Sequence, residues 1–166
     1  MQATANQDVA AQLSRLIDEA VPGRRGLEAW RAFLEAHATL MRQLQTDLVN
    51  QTGLDLNDFD VISQLAQAGG ALRMTELAAR AFSSRSGLTR RIARLVEEGL
   101  VRRTTADGDA RGVVVTLTDA GAARVSETVP VHLRTVADLF VAKLDDKELA
   151  VLESALKKVT LDCTFG

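Results

Sequence analysis

The chain is poor in the residues that most reactive or metal-bearing centres require. In 166 residues it has no tyrosine, one tryptophan, one cysteine, two histidines and two prolines. The lone Cys163 excludes an intrachain disulfide and fits a reducing compartment. With one cysteine and two histidines, His37 and His132, far apart in sequence, a structural zinc centre is not expected, and neither is a cofactor. No apolar run approaches the ~20 residues that span a bilayer. The segment from Met1 to Asp8 lacks the basic and apolar parts of a signal peptide. A cytoplasmic protein without a membrane partner is therefore expected. The sequence also lacks a Walker loop, a Gly-x-Gly-x-x-Gly turn and a nucleophile elbow, and no nucleophile and base are clustered. An enzyme is not expected.

What is present is arginine, concentrated in one place. Residues 73–111 hold nine arginines, five acids and no lysine. That stretch carries +4, which leaves −6 for the rest of a chain whose formal net charge is −2. A basic block on an acidic body is the footprint of a polyanion partner. Arginine suits that partner because its planar fork donates paired hydrogen bonds to phosphate or guanine. The alternative is that these arginines form a solvated helix face.

Hydrophobic periodicity divides the chain into helices, a short β segment and helices again. Residues 9–20 read as a short helix with Leu13, Leu16 and Ile17 on one face, stopped at Val21-Pro22-Gly23. Residues 27–51 read as a long helix with a stripe of Leu27, Trp30, Leu34, His37, Met41, Leu44 and Leu48. Asn57 or Asp58 can cap the next helix, which turns Phe59, Ile62 and Leu65 inward and ends at Gly69-Gly70. A short helix follows over 74–80, then another over 84–98 with Gly99 as its cap. β-branched runs at 101–105 and 113–117 around a Gly/Asp loop read as a hairpin. Thr118 caps a long helix to about residue 144, with Pro130 as a candidate bend, and Asp145 caps a last helix. The expected fold is mostly α with a small β-hairpin wing. Residues 57–117 form a winged helix-turn-helix lobe, and helices at 9–51 and 118–162 form a dimerisation region within one domain.

On a helix over 84–98, Leu88, Ile92 and Leu95 gather on one side. Ser86, Thr89, Arg90 and Ala93 lie opposite, with Gly87 and Arg94 at the flanks. A polar, small, basic outer face lets a helix enter the major groove of double-stranded DNA by its N-terminal half. Ser84 and Ser86, with the free N–H groups of the helix start, suit a phosphate. Arg91 points nearer the buried side and reads better as a structural ion pair. At the hairpin, Arg111 can reach a minor groove, while Asp109 orients the loop or an arginine. The candidate DNA-binding residues are thus Ser84, Arg85, Ser86, Thr89, Arg90, Arg94, Asp109 and Arg111. A winged-helix protein-interaction module is the alternative function; the alignment of Arg85, Arg90 and Arg94 argues against it.

The pieces Met74-Thr75-Glu76-Leu77-Ala78, Ser84 to Ile92, Leu95 to Arg103, Asp109-Ala110-Arg111-Gly112 and Leu117-Thr118-Asp119-Ala120-Gly121 together resemble the MarR family of bacterial transcription regulators. The resemblance covers roughly residues 27–159. It implies a homodimer joined through its terminal helices, a palindromic operator, repressor action, and release by a small aromatic carboxylate or phenolic effector. It also implies that Arg111 reaches the minor groove. The effector pocket it implies would be lined by Trp30, Phe33, His37, Met41 and Phe59, all of which read equally well as core or dimer-interface residues. Peroxide-sensing members carry their reactive cysteine near the N-terminus, whereas Cys163 is near the C-terminus. Urate-responsive members share an extra N-terminal helix and place an acid and arginines at positions similar to Asp60, Arg91 and Arg103. Their N-terminal helix also carries a tryptophan that residues 9–20 lack. Here the three charged residues can equally form structural ion pairs.

Overall fold

The computed structural model describes residues 2–20, 23–81, 85–106 and 109–163. The elements run α1 (Gln2–Ala20), α2 (Arg24–Thr52), α3 (Leu56–Gln67), β1 (Ala71–Arg73), α4 (Met74–Arg80) and α5 (Arg85–Glu97). They continue with β2 (Val101–Ala106), β3 (Asp109–Leu117), α6 (Asp119–Leu139), a 3-10 turn (Val141–Lys143) and α7 (Asp146–Cys163). Residues up to Arg42 and residues from Gln43 onward form two compact units.

The second unit holds the core. Leu48, Ile62 and Leu65 are fully buried with Leu77 of α4 and Leu88, Ile92 and Leu95 of α5. The spacing of four and then three residues puts the three α5 side chains on one face, and full burial of such side chains is worth about 1.5–3 kcal/mol each. Glycine ends α5 where the chain must reverse. Gly99 takes φ +73, a left-handed conformation that side chains resist, and Leu100 N–H then reaches back to the Leu95 carbonyl at 2.9 Å.

The first helix begins at Gln2 rather than 9 and β3 at Asp109 rather than 113, and three further differences bear on the lobe. The cap of α3 is Asp55, whose carboxylate accepts from Asn57 N–H at 3.0 Å, rather than Asn57 or Asp58. Asp58 is 3% exposed and has another role, described below. The hairpin gains a third strand: β1 pairs antiparallel with β3 through Leu72 and Val115, giving the order β1-β3-β2. Three residues are too few to display a strand period, so β1 exists because β3 offers it an open edge. Finally, α6 passes through Pro130 but stops at Leu139.

The stripe on α2 is divided. Leu44 and Leu48 are buried, but Trp30, Phe33, Leu34 and Met41 are exposed. Val9, Leu13 and Leu16 of α1 and Val151, Leu156, Val159 and Leu161 of α7 are exposed as well.

In the second unit the His132 ring of α6 lies 5.0 Å from the Phe59 ring of α3. Burial pushes the imidazole pKa down. The unfolded chain therefore takes up the proton first, near pH ~6.5. Stability from packing neutral His132 is present above that pH and is lost as pH falls through the lower folded value. Urea unfolding of the wild type should weaken from about pH 7.5 to about pH 5.5, and His132→Gln should flatten that decline. Parallel profiles for the two proteins would assign the sensitivity to other groups.

Candidate nucleic-acid interface

The outer face of α5 follows from what its inner face buries. With Leu88, Ile92 and Leu95 at 0% exposure, Thr89, Arg90 and Ala93 are turned outward and exposed. They occupy the N-terminal and middle turns of the helix, as a groove-reading helix requires. The other candidate DNA contacts, Ser84 and the side chains of Arg85, Ser86, Asp109 and Arg111, lie outside the described residues. The β3 backbone does carry positions 109 and 111 up the strand that pairs with β2, Thr105 opposite Val113.

Arg94 and Arg91 turn back into the protein. Arg91 Nη1 donates to Asp55 Oδ1 at 2.9 Å and to Asp58 Oδ1 at 3.2 Å. Arg94 Nη2 donates to Asp58 Oδ2, and Glu98 lies 3.9 Å from Arg94 Nε. Arg91 is thus the structural ion pair expected of it, while Arg94, expected on the DNA-facing flank, bonds to a carboxylate of its own lobe. That bond raises the Arg94 pKa, burial opposes it, and the charges of Asp58, Asp55 and Glu98 add to it. Burial pushes the Asp55 carboxyl up, but the Asn57 side chain and backbone, the Arg91 charge and the Asp58 backbone together hold it below the usual carboxylate range. Gln45 of α2 adds a donor to Asp55 at 3.1 Å and accepts from Leu56 N–H at 2.8 Å.

The geometry has a simple origin. Arg91 and Arg94 are three apart and share one side of α5, while Asp58 lies in the first turn of α3 and Asp55, three residues before it, is the cap that precedes the helix. Two short charged rows then face each other across α3 and α5. The equal spacing was a usable signal, missed because Asp58 also reads as a cap. Asp60, grouped with Arg91 in the sequence reading, instead accepts from Gln64 at 3.4 Å. Arg103 is exposed on β2.

Of the aromatic candidates, the structure brings three together. Trp30 stacks on Phe33 at 5.9 Å, and Phe33 on His37 at 6.2 Å, along the exposed side of α2. Met41 is exposed on the same helix. Phe59 belongs to the core of the second unit, 5% exposed. Among the described residues no His, Cys, Asp and Glu cluster could hold a metal ion, and no helix is long and apolar enough to cross a membrane.

A three-helix lobe with a β-sheet wing and an outward helix bearing Thr89 and Arg90 defines a winged helix-turn-helix protein. Known proteins carry the same arrangement. The model of the MarR family matches residues 52–112. The regulator PecS of Dickeya dadantii (strain 3937) is 29% identical over 108 residues, which are 64% of this chain and 64% of PecS. The structure of AbsC, a MarR family transcriptional regulator from Streptomyces coelicolor, superposes with a TM-score of 0.79 at 30% identity, covering 86% of this chain and 97% of AbsC. Sco3205, a MarR family transcriptional regulator from the same organism solved in complex with DNA, gives 0.81 at 29% identity, covering 87% of this chain and 94% of Sco3205. The chain belongs to the MarR family, a family of transcriptional regulators rather than enzymes.

Replacing Asp58 by alanine leaves Arg91 with Asp55 alone and Arg94 with only Glu98, 3.9 Å away, beside a buried site. Since Arg91 and Arg94 keep 24% and 48% exposure, the expected loss is about 2 kcal/mol, short of the ~3–5 kcal/mol for a fully buried pair. Denaturant titration measures it. A loss under about 0.5 kcal/mol would show that solvent replaces the carboxylate without cost.

Proposed function

We propose that the protein is a homodimeric transcription repressor that binds a palindromic operator through α5 and the wing, and that a small aromatic acid or phenol releases it. The observation that carries the reading is the division of labour on α5. One face is wholly buried, two arginines are bonded to Asp55 and Asp58, and Thr89 and Arg90 are on the exposed outer face. A phosphate-rich groove is the partner that such a face complements. In this reading Thr89 and Arg90 reach base edges, while Ser84, Arg85 and Ser86 hold the backbone at the helix start. Arg111 enters the minor groove, with Asp109 orienting the loop. Arg94 acts through Asp58 by holding the helix at its angle.

The exposed apolar side chains of α1, α2 and α7 support the homodimer, because helices that carry an apolar face bury it against a partner. The row of Trp30, Phe33 and His37, each ring inclined 28° to the next and continued by Met41, supports an aromatic effector: exposed ring faces offer a flat ligand a stacking surface.

Sedimentation at micromolar concentration should show a dimer, and Leu156→Asp on α7 should lower solubility or abolish folding. Monomer alone at that concentration would remove the two-fold operator from the proposal.

Arg90 and Arg111 should fail differently when changed to alanine. Arg90→Ala should cost about 1–3 kcal/mol on operator and far less on scrambled duplex. Arg111→Ala should weaken both more evenly and lower the salt slope by about one unit. Titrations at several salt concentrations on both duplexes separate them. Equal, sequence-independent losses would mean that α5 is not the base reader, and no loss for either would favour a protein-interaction module.

A further inference from the structure

The far end of α5 is held by a second joint, built from backbone. Just after α5, the Leu100 carbonyl accepts from Thr118 N–H at 3.1 Å and from Thr118 Oγ1 at 3.0 Å. The hydroxyl's single hydrogen is shared with the Gly99 carbonyl, the nearer acceptor at 2.7 Å, and its oxygen accepts from Gly121 N–H at 3.0 Å. One side chain therefore caps α6 and ties its first turn to the turn that ends α5. Gly121 is buried there, and a Cβ on it would overlap the Leu100 carbonyl oxygen and come within 2.7 Å of the Leu117 Cδ1. Leu100 N–H in turn bonds the Leu95 carbonyl of α5 at 2.9 Å. The path from α6 to α5 thus runs through short bonds and one close approach, without a long, flexible side chain.

We propose that Thr118 and Gly121 are positioning residues: they form a rigid joint that passes any displacement of α6 directly to α5, and so set the half-site spacing that the dimer accepts. The inference rests on the reading of α5 as the DNA-reading helix and α6 as part of the dimer region. The two ties on α5 differ in kind. The Asp58 tie is ionic and partly exposed, so salt and charge substitution weaken it. The Thr118–Gly121 tie is steric and backbone-bonded, so it resists salt and yields only to a change of shape. A packed joint of this sort moves its two helices together, because interiors shift between discrete arrangements rather than deforming smoothly. Half-sites a helical turn apart make the DNA a sensitive gauge of such movement.

The test uses Gly121→Ala, Thr118→Ala and Thr118→Ser in the full chain, with two readouts. In the free protein, amide NMR shifts of Thr89, Arg90 and Ala93, which lie on the opposite face of α5 from the core, should move in Gly121→Ala. On duplexes whose half-site spacing varies by single base pairs, Gly121→Ala should lose roughly tenfold on the wild-type spacing, prefer a different spacing, and bind scrambled duplex unchanged. Thr118→Ala should follow in the same direction, and Thr118→Ser, which keeps the hydroxyl, should restore the wild-type preference. Should Gly121→Ala fold poorly, the Thr118 pair gives the same comparison. Shifts confined to residues 95–101 and 117–122, or equal losses on every duplex, would overturn the joint. A wild type that ignores operator sequence altogether would instead refute the proposed function, and the NMR comparison would still judge the joint.

Discussion

The placement of α5 turns on one buried carboxylate. Asp58 sits at 3% exposure in the first turn of α3, and its two oxygens take Arg91 and Arg94 of α5. A carboxylate so far from water is tolerated only where opposite charge and hydrogen bonds replace its hydration. The apolar contact of Leu88, Ile92 and Leu95 supplies the adhesion between α5 and the lobe, but burial is non-directional and would permit some rotation or sliding. The two arginine bonds are directional, so they select one rotation. That rotation is what turns Thr89 and Arg90 outward.

The same arrangement explains why a run of arginines is not one uniform charged surface. Nine arginines lie within residues 73–111, yet on α5 they divide by angle. Arg91 and Arg94 are neutralised within the lobe, while Arg90, beside Arg91 in sequence, faces solvent. Counting charge along the chain therefore overstates the field that a DNA partner would meet, and the position of each arginine around the helix determines which contribute to it.

The two ends of the chain pose the opposite problem. The lobe closes its own core, whereas α1, the first half of α2 and α7 present apolar side chains to water. Stability measured on the isolated chain is then linked to whatever covers those faces, and in the proposed dimer it depends on protein concentration. Thr118 and Gly121 matter in this context because they lie where the lobe meets α6.

The sequence by itself determined the features that repeat over short distances. The inward and outward faces of α5, the reversal at Gly99, the strands on either side of the wing loop and the Thr118 cap were all legible, because helix and strand periods and turn chemistry act over a few residues. The commitment of Arg91 to an ion pair was legible from its angle on the helix. Its partners were hinted at only by the matching three-residue spacing: Asp55 and Asp58 lie 36 and 33 residues away, and packing of α5 on α3 is what brings them within bonding distance. Strand β1 is too short to show a period and is defined by the edge of β3. The need for glycine at 121 comes from the Leu100 carbonyl across a turn, not from its own helix. The division of the α2 stripe into buried Leu44 and Leu48 and exposed Trp30, Leu34 and Met41 was likewise decided by tertiary structure. An apolar side chain carries the same transfer free energy wherever it stands along a helix, and only the neighbours that folding supplies determine whether water is removed from it.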